Sequence, residues 1–199
     1  MNADSFKGQV AIITGAGQGI GFEITRQLAL QGAAVVLNDI DEALTHNAVE
    51  KIKAERGNCI GMTGDASNID FIDKMVKQTV KNFGKLTIAI ANAGITLYAD
   101  FFDYTSDSFN KVMQLNLAGS FFLAQATAKQ MKKQETGGSI LFMSSVVGHQ
   151  AHKNLAAYGM TKAALEMLAK TLVIELSPFN ISINAIAPGA TKTERTEKD

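Results

Sequence analysis

Two groups of residues in this chain have types and spacings that could do chemistry. Tyr158 stands four residues before Lys162, and residues at i and i+4 share one face of a helix. A nearby ammonium stabilises a phenolate, so this tyrosine could exchange a proton with a substrate oxygen. The second group is the glycine stretch Thr14-Gly15-Ala16-Gly17-Gln18-Gly19-Ile20-Gly21. Glycines between a strand and a helix let the backbone approach a pyrophosphate, which the positive end of the helix attracts.

The surroundings of the glycine stretch favour a dinucleotide site over a purely structural turn. The stretch follows the apolar run Val10 to Ile13 and opens a segment with apolar residues at helical spacing. Asp39 ends the next apolar run, about 20 residues further on, where a carboxylate would accept hydrogen bonds from the adenosine ribose. The alternative for Asp39 is an ordinary turn residue at a strand end.

Length, charge and cysteine content are those of one enzyme-sized domain. The 199 residues can bury a substantial core, and no linker or strong repeat divides them, so we expect one domain over residues 1–199. The 19 basic and 19 acidic residues balance, which argues against a nucleic-acid partner. Cys59 has no second cysteine to pair with, and the N-terminus lacks the apolar core of a signal peptide or membrane span. We expect a cytoplasmic protein with no metal site and no membrane partner.

Short apolar runs alternate with segments of helical period. The predicted strands are Val10–Thr14, Val35–Asp39, Cys59–Met62, Leu86–Ala91, Ser139–Met143 and Ile181–Ala187. The predicted helices lie near Ile20–Gln31, Glu42–Glu55, Ile69–Phe83, Asp107–Lys133 and Ala156–Leu176. This alternation predicts an α/β fold of Rossmann type, a doubly wound parallel sheet with helices on both faces. Such sheets bind ligands at the carboxyl ends of their strands, where the glycine stretch and Asp39 fall.

Further motifs at the predicted strand ends point to a family. They are Asp65, Asn92-Ala93-Gly94, Ser144-Ser145 and Pro188-Gly189. With the glycine stretch and the tyrosine–lysine pair, they resemble the short-chain dehydrogenase/reductase family in its Thr-Gly-x-x-x-Gly-Ile-Gly and Tyr-x-x-x-Lys branch, over residues 7–193. The resemblance implies hydride transfer between a nicotinamide cofactor and a secondary alcohol or ketone. It implies four catalytic residues: the acid/base Tyr158, its partner Lys162, the substrate holder Ser145 and the relay residue Asn116.

The resemblance also implies which residues contact the cofactor. They are Gly15, Gln18, Gly19, Ile20, Gly21, Asp39, Asp65, Ala66, Asn92, Ala93, Gly94, Tyr158, Lys162, Pro188, Gly189 and Thr193. The charge of Asp39 would repel a 2′-phosphate, and neither Ile40 nor Asp41 supplies a compensating cation. Gln18 stands where phosphate-preferring relatives often carry arginine or lysine. We therefore expect NAD(H) to be preferred over NADP(H).

Three features depart from the family pattern. Ala91 replaces the first asparagine of Asn-Asn-Ala-Gly, and Thr87 replaces a common aspartate. The third departure is more serious, because the chain ends soon after Pro188-Gly189 whereas family members continue. Most of a substrate-covering loop, a late helix and a seventh strand would be missing. We therefore expect a C-terminally incomplete part of a longer product.

The sequence leaves the substrate open. Residues 146–154 should border it, and His149 and His152 either hydrogen bond a polar substrate or are solvated loop residues. Sugars, polyols, hydroxysteroids and acyl thioesters all fit, and the expected NAD(H) preference favours a catabolic alcohol or sugar dehydrogenase over a 3-oxoacyl-carrier-protein reductase. A nucleotide-binding module without turnover and a structural subunit are the alternatives from other classes. The apolar helices near 107–133 and 156–176 predict a homodimer or homotetramer.

Overall fold

The computed structural model describes residues 4–193, which build a six-stranded parallel sheet. Its strands are β1 (Val10–Ile13), β2 (Ala34–Asp39), β3 (Asn58–Thr63), β4 (Ile88–Ala91), β5 (Gly138–Met143) and β6 (Ile181–Ile186). They lie in the order β3-β2-β1-β4-β5-β6, and each neighbouring pair is parallel. The strand order reverses between β1 and β4, so ligands are expected outside the carboxyl ends of these two strands. The predicted Rossmann-type fold is confirmed.

Helices cover both faces of the sheet. They are α1 (Gly19–Leu30), α2 (Glu42–Ala54), α3 (Ile69–Phe83), α4 (Ser106–Val112), α5 (Ser120–Gln134) and α6 (Ala156–Leu176). Apolar residues of α1 and α2 pack on one face, and those of α3, α5 and α6 pack on the other. Within residues 4–193, none of the helices has both the length and the apolar character that a membrane crossing needs.

The alternation of side chains along the central strands divides the core into two layers. In β1, Ile12 packs against the layer of α3, α5 and α6, whereas Ala11 and Ile13 pack against the layer of α1 and α2. Both layers exclude water, since all four residues of β1 are buried. A strand buried on both faces reads as a continuous apolar run, which is why these strands were recognisable in the sequence.

The structure corrects the predicted helix over 107–133. The chain forms α4, then a π-helical segment over Met113–Gly119, then α5. A wider turn of this kind leaves the apolar pattern nearly unchanged, so periodicity alone does not reveal it. Gly119, the last residue of this segment, packs against the loop that precedes α3. A Cβ on Gly119 would lie 2.6 Å from the carbonyl oxygen of Ala66.

The structure also shortens the predicted fourth strand, which begins at Ile88 rather than at Leu86. The side-chain amide of Gln134 takes the place of a neighbouring strand, because it accepts from Leu86 N at 2.9 Å and donates to Leu86 O at 2.8 Å. Thr87, the replacement for the family's aspartate, bonds through Oγ1 to both backbone groups of Val10. It thereby joins the starts of β1 and β4.

Candidate active site

A cleft of about 640 Å³ opens at the carboxyl ends of the strands, at the switch point of the sheet. All the residues predicted to contact the cofactor line it: Gly15, Gln18, Gly19, Ile20, Gly21, Asp39, Asp65, Ala66, Asn92, Ala93, Gly94, Tyr158, Lys162, Pro188, Gly189 and Thr193. Ser145 lines the same cleft, whereas the side chain of Asn116 does not. The structure therefore brings the glycine stretch and the Tyr158–Lys162 pair into one site, although more than a hundred residues separate them in the sequence.

The glycine turn leads from β1 into α1 and is shaped by close backbone approaches. Gly15 has a φ of 59°, and a Cβ on it would lie 2.7 Å from the Cα of Ala93. A Cβ on Gly21 would collide with Gly15 O and with the side-chain nitrogen of Asn92. The N-cap residue of α1 is Gln18, and its own side chain makes no capping hydrogen bond. The turn is thus a backbone cradle that tolerates no side chain at these two glycines.

Asn92 and Thr14 hold the cradle to the end of β4. The Asn92 side chain donates to Thr14 O at 2.9 Å and to Gly15 O at 2.8 Å. The Thr14 hydroxyl accepts from the backbone amides of Asn92 and Ala93. The amide protons of Asn92 are therefore used to fix the glycine turn, a supporting task that the sequence did not indicate.

Asp39 ends β2 at the edge of the cleft, and the backbone fixes its carboxylate. One oxygen accepts from Gly17 N at 2.9 Å and the other from Asp41 N at 3.2 Å. An ionised carboxylate has about four lone-pair sites, so two of them remain for hydroxyl donors. Asp39 therefore combines a structural bond to the glycine turn with a negative charge that lines the cleft.

Tyr158 and Lys162 project from the first turns of α6 towards the end of β5. Lys162 is only 4% exposed, and its Nζ donates to Met143 O at 2.6 Å. The same nitrogen lies 5.4 Å from the centre of the Tyr158 ring. A buried lysine needs such partners because an isolated ammonium away from water is costly. The pair therefore places a held positive charge next to a phenol that borders the cleft.

Ser145 lies two residues after the end of β5 and precedes a short 3-10 turn over Val146–Gly148. Its hydroxyl oxygen accepts from Val147 N at 3.2 Å, which leaves the hydroxyl proton for another acceptor. The turn itself is held to the chain after β6, because Val146 N donates to Pro188 O at 3.1 Å. Ser145 is thus presented to the cleft from a braced turn.

Asn116 lies in the π-helical segment and is fully buried behind the cleft. Its side chain accepts from Ile95 N at 2.8 Å and donates to Ile95 O at 2.9 Å, while Thr161 Oγ1 lies 3.4 Å from its nitrogen. It therefore ties the chain after β4 to α6. A Cβ on Gly94 would lie 3.2 Å from Asn116 Oδ1 and 3.6 Å from Lys162 Nζ, so a side chain at this position would crowd both groups. The relay role assigned to Asn116 stays a prediction.

The profile of the family described as short chain dehydrogenase matches residues 9–199. The chain belongs to this family. Short-chain dehydrogenases are oxidoreductases that bind a nicotinamide cofactor and act on CH–OH or carbonyl groups. The fold, the switch-point cleft and the resemblance stated from the motifs all agree with that membership.

This short-chain dehydrogenase is similar to known proteins, three of which show the identity and coverage of the match. It is 37% identical to an uncharacterized oxidoreductase of Thermotoga maritima, over 96% of this chain and 74% of the relative. It is 34% identical to L-rhamnose 1-dehydrogenase (NAD(P)(+)) of Azotobacter vinelandii, over 96% and 76% of the two chains. The structure of an NAD+-bound xylitol dehydrogenase matches with a TM-score of 0.89 at 33% identity, over 93% and 71% of the two chains.

The structure separates the two histidines that the sequence treated alike. His152 lines the cleft of this short-chain dehydrogenase, whereas His149 places Nε2 3.0 Å from the carboxylate of Glu166. Other lining residues went unpredicted because no motif marks them: Asn38, Thr96, Tyr98, Leu115 and Leu155. Thr96 and Tyr98 lie in the chain after β4, and that position is the signal that could have found them, whereas Leu115 lies in the π-helical segment and carries no such signal. In the part of the chain that is described, no group of three or more His, Cys, Asp or Glu could hold a metal ion.

Proposed function

We propose that this chain is an NAD(H)-dependent oxidoreductase that interconverts a secondary alcohol and a ketone, with Tyr158 as the acid/base. The observation that carries the proposal is the pairing of Tyr158 with the buried Lys162 in the cleft that the glycine cradle also lines. A nicotinamide ring supplies the hydride acceptor or donor when it is bound. The chain itself supplies a group that donates or accepts the proton and a group that orients the substrate oxygen.

The chemistry-bearing side chains divide the work on the substrate. Ser145 donates a hydrogen bond to the substrate oxygen and so orients it, and Ser145 keeps its proton throughout. Tyr158 takes the proton from that oxygen during oxidation and returns it during reduction. Lys162 stabilises the phenolate form of Tyr158 through its charge, which Met143 O holds in place.

The residues of the cradle fit a dinucleotide because they leave backbone where a side chain would intrude. The lack of side chains at Gly15 and Gly21 and the position of this turn at the start of α1 suit a pyrophosphate. Asp65 and Ala66 would border the adenine, and Pro188, Gly189 and Thr193 would border the nicotinamide end. Asp39 would accept from the ribose hydroxyls and repel a 2′-phosphate, which favours NAD(H) over NADP(H).

We propose a polyol or sugar as the substrate class. The similarity to a xylitol dehydrogenase supports this choice, as does the imidazole of His152, which can hydrogen bond a substrate hydroxyl at the mouth of the cleft. The test is a panel of xylitol, L-rhamnose and cyclohexanol with NAD+, run in parallel with an acetoacetyl thioester and NADPH. Turnover of a polyol or sugar with NAD+ is expected. Turnover of the thioester alone would identify a reductase, and cofactor binding without any turnover would identify a binding module.

We also propose that the chain forms a homodimer through the outer faces of α4, α5 and α6. A groove of about 1120 Å³ runs along these helices, with apolar lining from Phe121, Phe122, Met167 and Leu168. Phe121 and Met167 are large apolar side chains that stay exposed on these helices, and grouped exposed apolar residues are typical of an interface between subunits. Light scattering on the purified protein should give twice the monomer mass or a higher even multiple, and a monomer would contradict the proposal.

A further inference from the structure

The turn that presents Ser145 is held from behind by a residue to which the mechanism assigns no task. Glu166 lies on α6, four residues after Lys162, and its side chain is 17% exposed. Its Oε1 accepts from Ser144 Oγ at 2.6 Å and lies 3.0 Å from His149 Nε2. Ser144 immediately precedes Ser145, and His149 immediately follows the 3-10 turn. One carboxylate oxygen therefore contacts the residues on both sides of the segment 145–148.

This turn and α6 lie so close together that two glycines in their contact leave no space for a side chain. A Cβ on Gly148 would lie 3.0 Å from Glu166 Oε1 and 3.1 Å from Ala163 N. A Cβ on Gly159, the residue after Tyr158, would lie 3.1 Å from Val147 O. Two glycines thus allow the turn to lie directly on the helix that carries Tyr158 and Lys162.

We propose that Glu166 is a positioning residue, which fixes the Ser145 turn against α6 and so sets Ser145 relative to Tyr158. The proposal rests on the function proposed above. A short hydroxyl–carboxylate bond is stronger than a neutral one, so it suits this holding task. Displacement of Ser145 by a fraction of a bond length would misalign the substrate oxygen between the two hydroxyl groups.

The experiment compares Glu166→Ala and Glu166→Gln with Glu175→Ala, an exposed glutamate on the same helix. Glu166→Ala should fold, because Ser144 Oγ retains Lys162 O as an acceptor at 3.0 Å and the half-exposed His149 can turn to water. Hydrogen exchange at the backbone amides of Gly148 and His149 reports the turn, since both donate within it. NADH titration on each variant reports whether the cofactor side is intact.

The proposal expects exchange of these two amides to rise roughly tenfold in Glu166→Ala, since a hydrogen bond to a charged group is lost. Glu166→Gln keeps an acceptor oxygen and should restore protection, and Glu175→Ala should match the original protein. With a polyol that the panel shows to be turned over, Glu166→Ala should lower kcat about tenfold while KM and NADH affinity stay within a few fold.

Two results would overturn the proposal. One is unchanged exchange in Glu166→Ala, and the other is exposed turn amides with an unaltered kcat. If the original protein turns over no member of the panel while Glu166→Ala still exposes the turn, the proposed function fails. The holding of the turn by Glu166 then stands without it.

Discussion

The two sides of the cleft are built by different means. The cofactor side comprises the glycine turn at 14–21, Asp39, Asp65-Ala66 and Asn92-Ala93-Gly94, and it is mainly backbone held in place by hydrogen bonds and close packing. The chemistry side comprises Ser145, Tyr158 and Lys162, and it consists of side chains on a turn and one helix. Under the proposed function, cofactor binding on the first side depends on the space that the glycines leave, whereas reaction on the second side depends on individual functional groups.

This difference predicts that changes on the two sides separate into effects on cofactor affinity and effects on rate. The largest effect belongs to Tyr158→Phe, which removes one hydroxyl and almost no volume. Turnover should fall by a factor on the order of 10² to 10⁴, the usual contribution of a positioned general acid or base. NADH affinity should stay within a few fold, since the cradle lies on the other side. A rate near that of the original protein would sink the assignment of Tyr158.

The next effect is expected at Gly21→Ala on the cofactor side. The new methyl group meets Gly15 O and the Asn92 side chain that holds the turn, so NADH affinity should fall at least tenfold and the free energy of unfolding by about 1–3 kcal/mol. Gly84→Ala is the control, because this glycine has a positive φ of 78° but nothing within 4 Å of a Cβ. It should lose stability through backbone strain alone and bind NADH normally. Normal NADH binding by Gly21→Ala would show that the turn is not a cradle.

Asp39→Asn tests the one charge on which the cofactor preference rests. NADH affinity should fall by about tenfold, as expected for a lost charge-assisted hydrogen bond, while NADPH affinity should hold or rise. Asp41→Asn removes a neighbouring charge and preserves the α2 cap, since asparagine caps helices as well as aspartate does. Its ratio of NADPH to NADH affinity should match the original protein. An equal change of that ratio in both variants would remove Asp39 from the account.

The smallest effect on NADH affinity and rate is expected at Cys59, which lies in β3 away from both sides of the cleft. Burial raises the pKa of its thiol above the ordinary 9.0, to about 12. The unfolded chain therefore loses this proton first, and stability that is complete below pH 9 declines as pH rises towards 12. The decline from this group is about 1.4 kcal/mol per pH unit.

The measurement for Cys59 is the free energy of unfolding from about pH 8 to about pH 11, in the original protein and in Cys59→Ala, with the difference between them as the readout. The range begins below the ordinary pKa of 9.0 and ends below the raised pKa of about 12, so it covers the region where the decline is expected. The variant should lack this part of the decline and bind NADH normally. Equal pH dependence in the two proteins would contradict a buried, protonated thiol.

The sequence predicted the centre of the sheet well because its central strands are buried on both faces. Runs such as Val10 to Ile13 are apolar throughout and stop at polar or glycine residues, so their existence and order could be stated in advance. The π-helical segment at 113–119 escaped prediction because its side chains keep a helical pattern. The start of β4 escaped because Gln134, distant in sequence, replaces strand pairing at Leu86.

The site could be predicted where a motif names a residue, and less well where a contact gives it a task. Tyr158, Lys162 and the glycines carry a spacing that is visible in one dimension. Glu166 carries none, since its contacts with Ser144 and His149 arise only when the turn folds onto α6. The same limit applied to the histidines, where only the folded chain places His152 in the cleft and His149 beside Glu166.

The most direct test of the central claim is a titration of the purified protein with NADH and with NADPH, followed by nicotinamide fluorescence. The account predicts saturable NADH binding at least tenfold tighter than NADPH binding, because Asp39 disfavours a 2′-phosphate at the end of β2. Binding of neither dinucleotide, or tighter binding of NADPH, would contradict it.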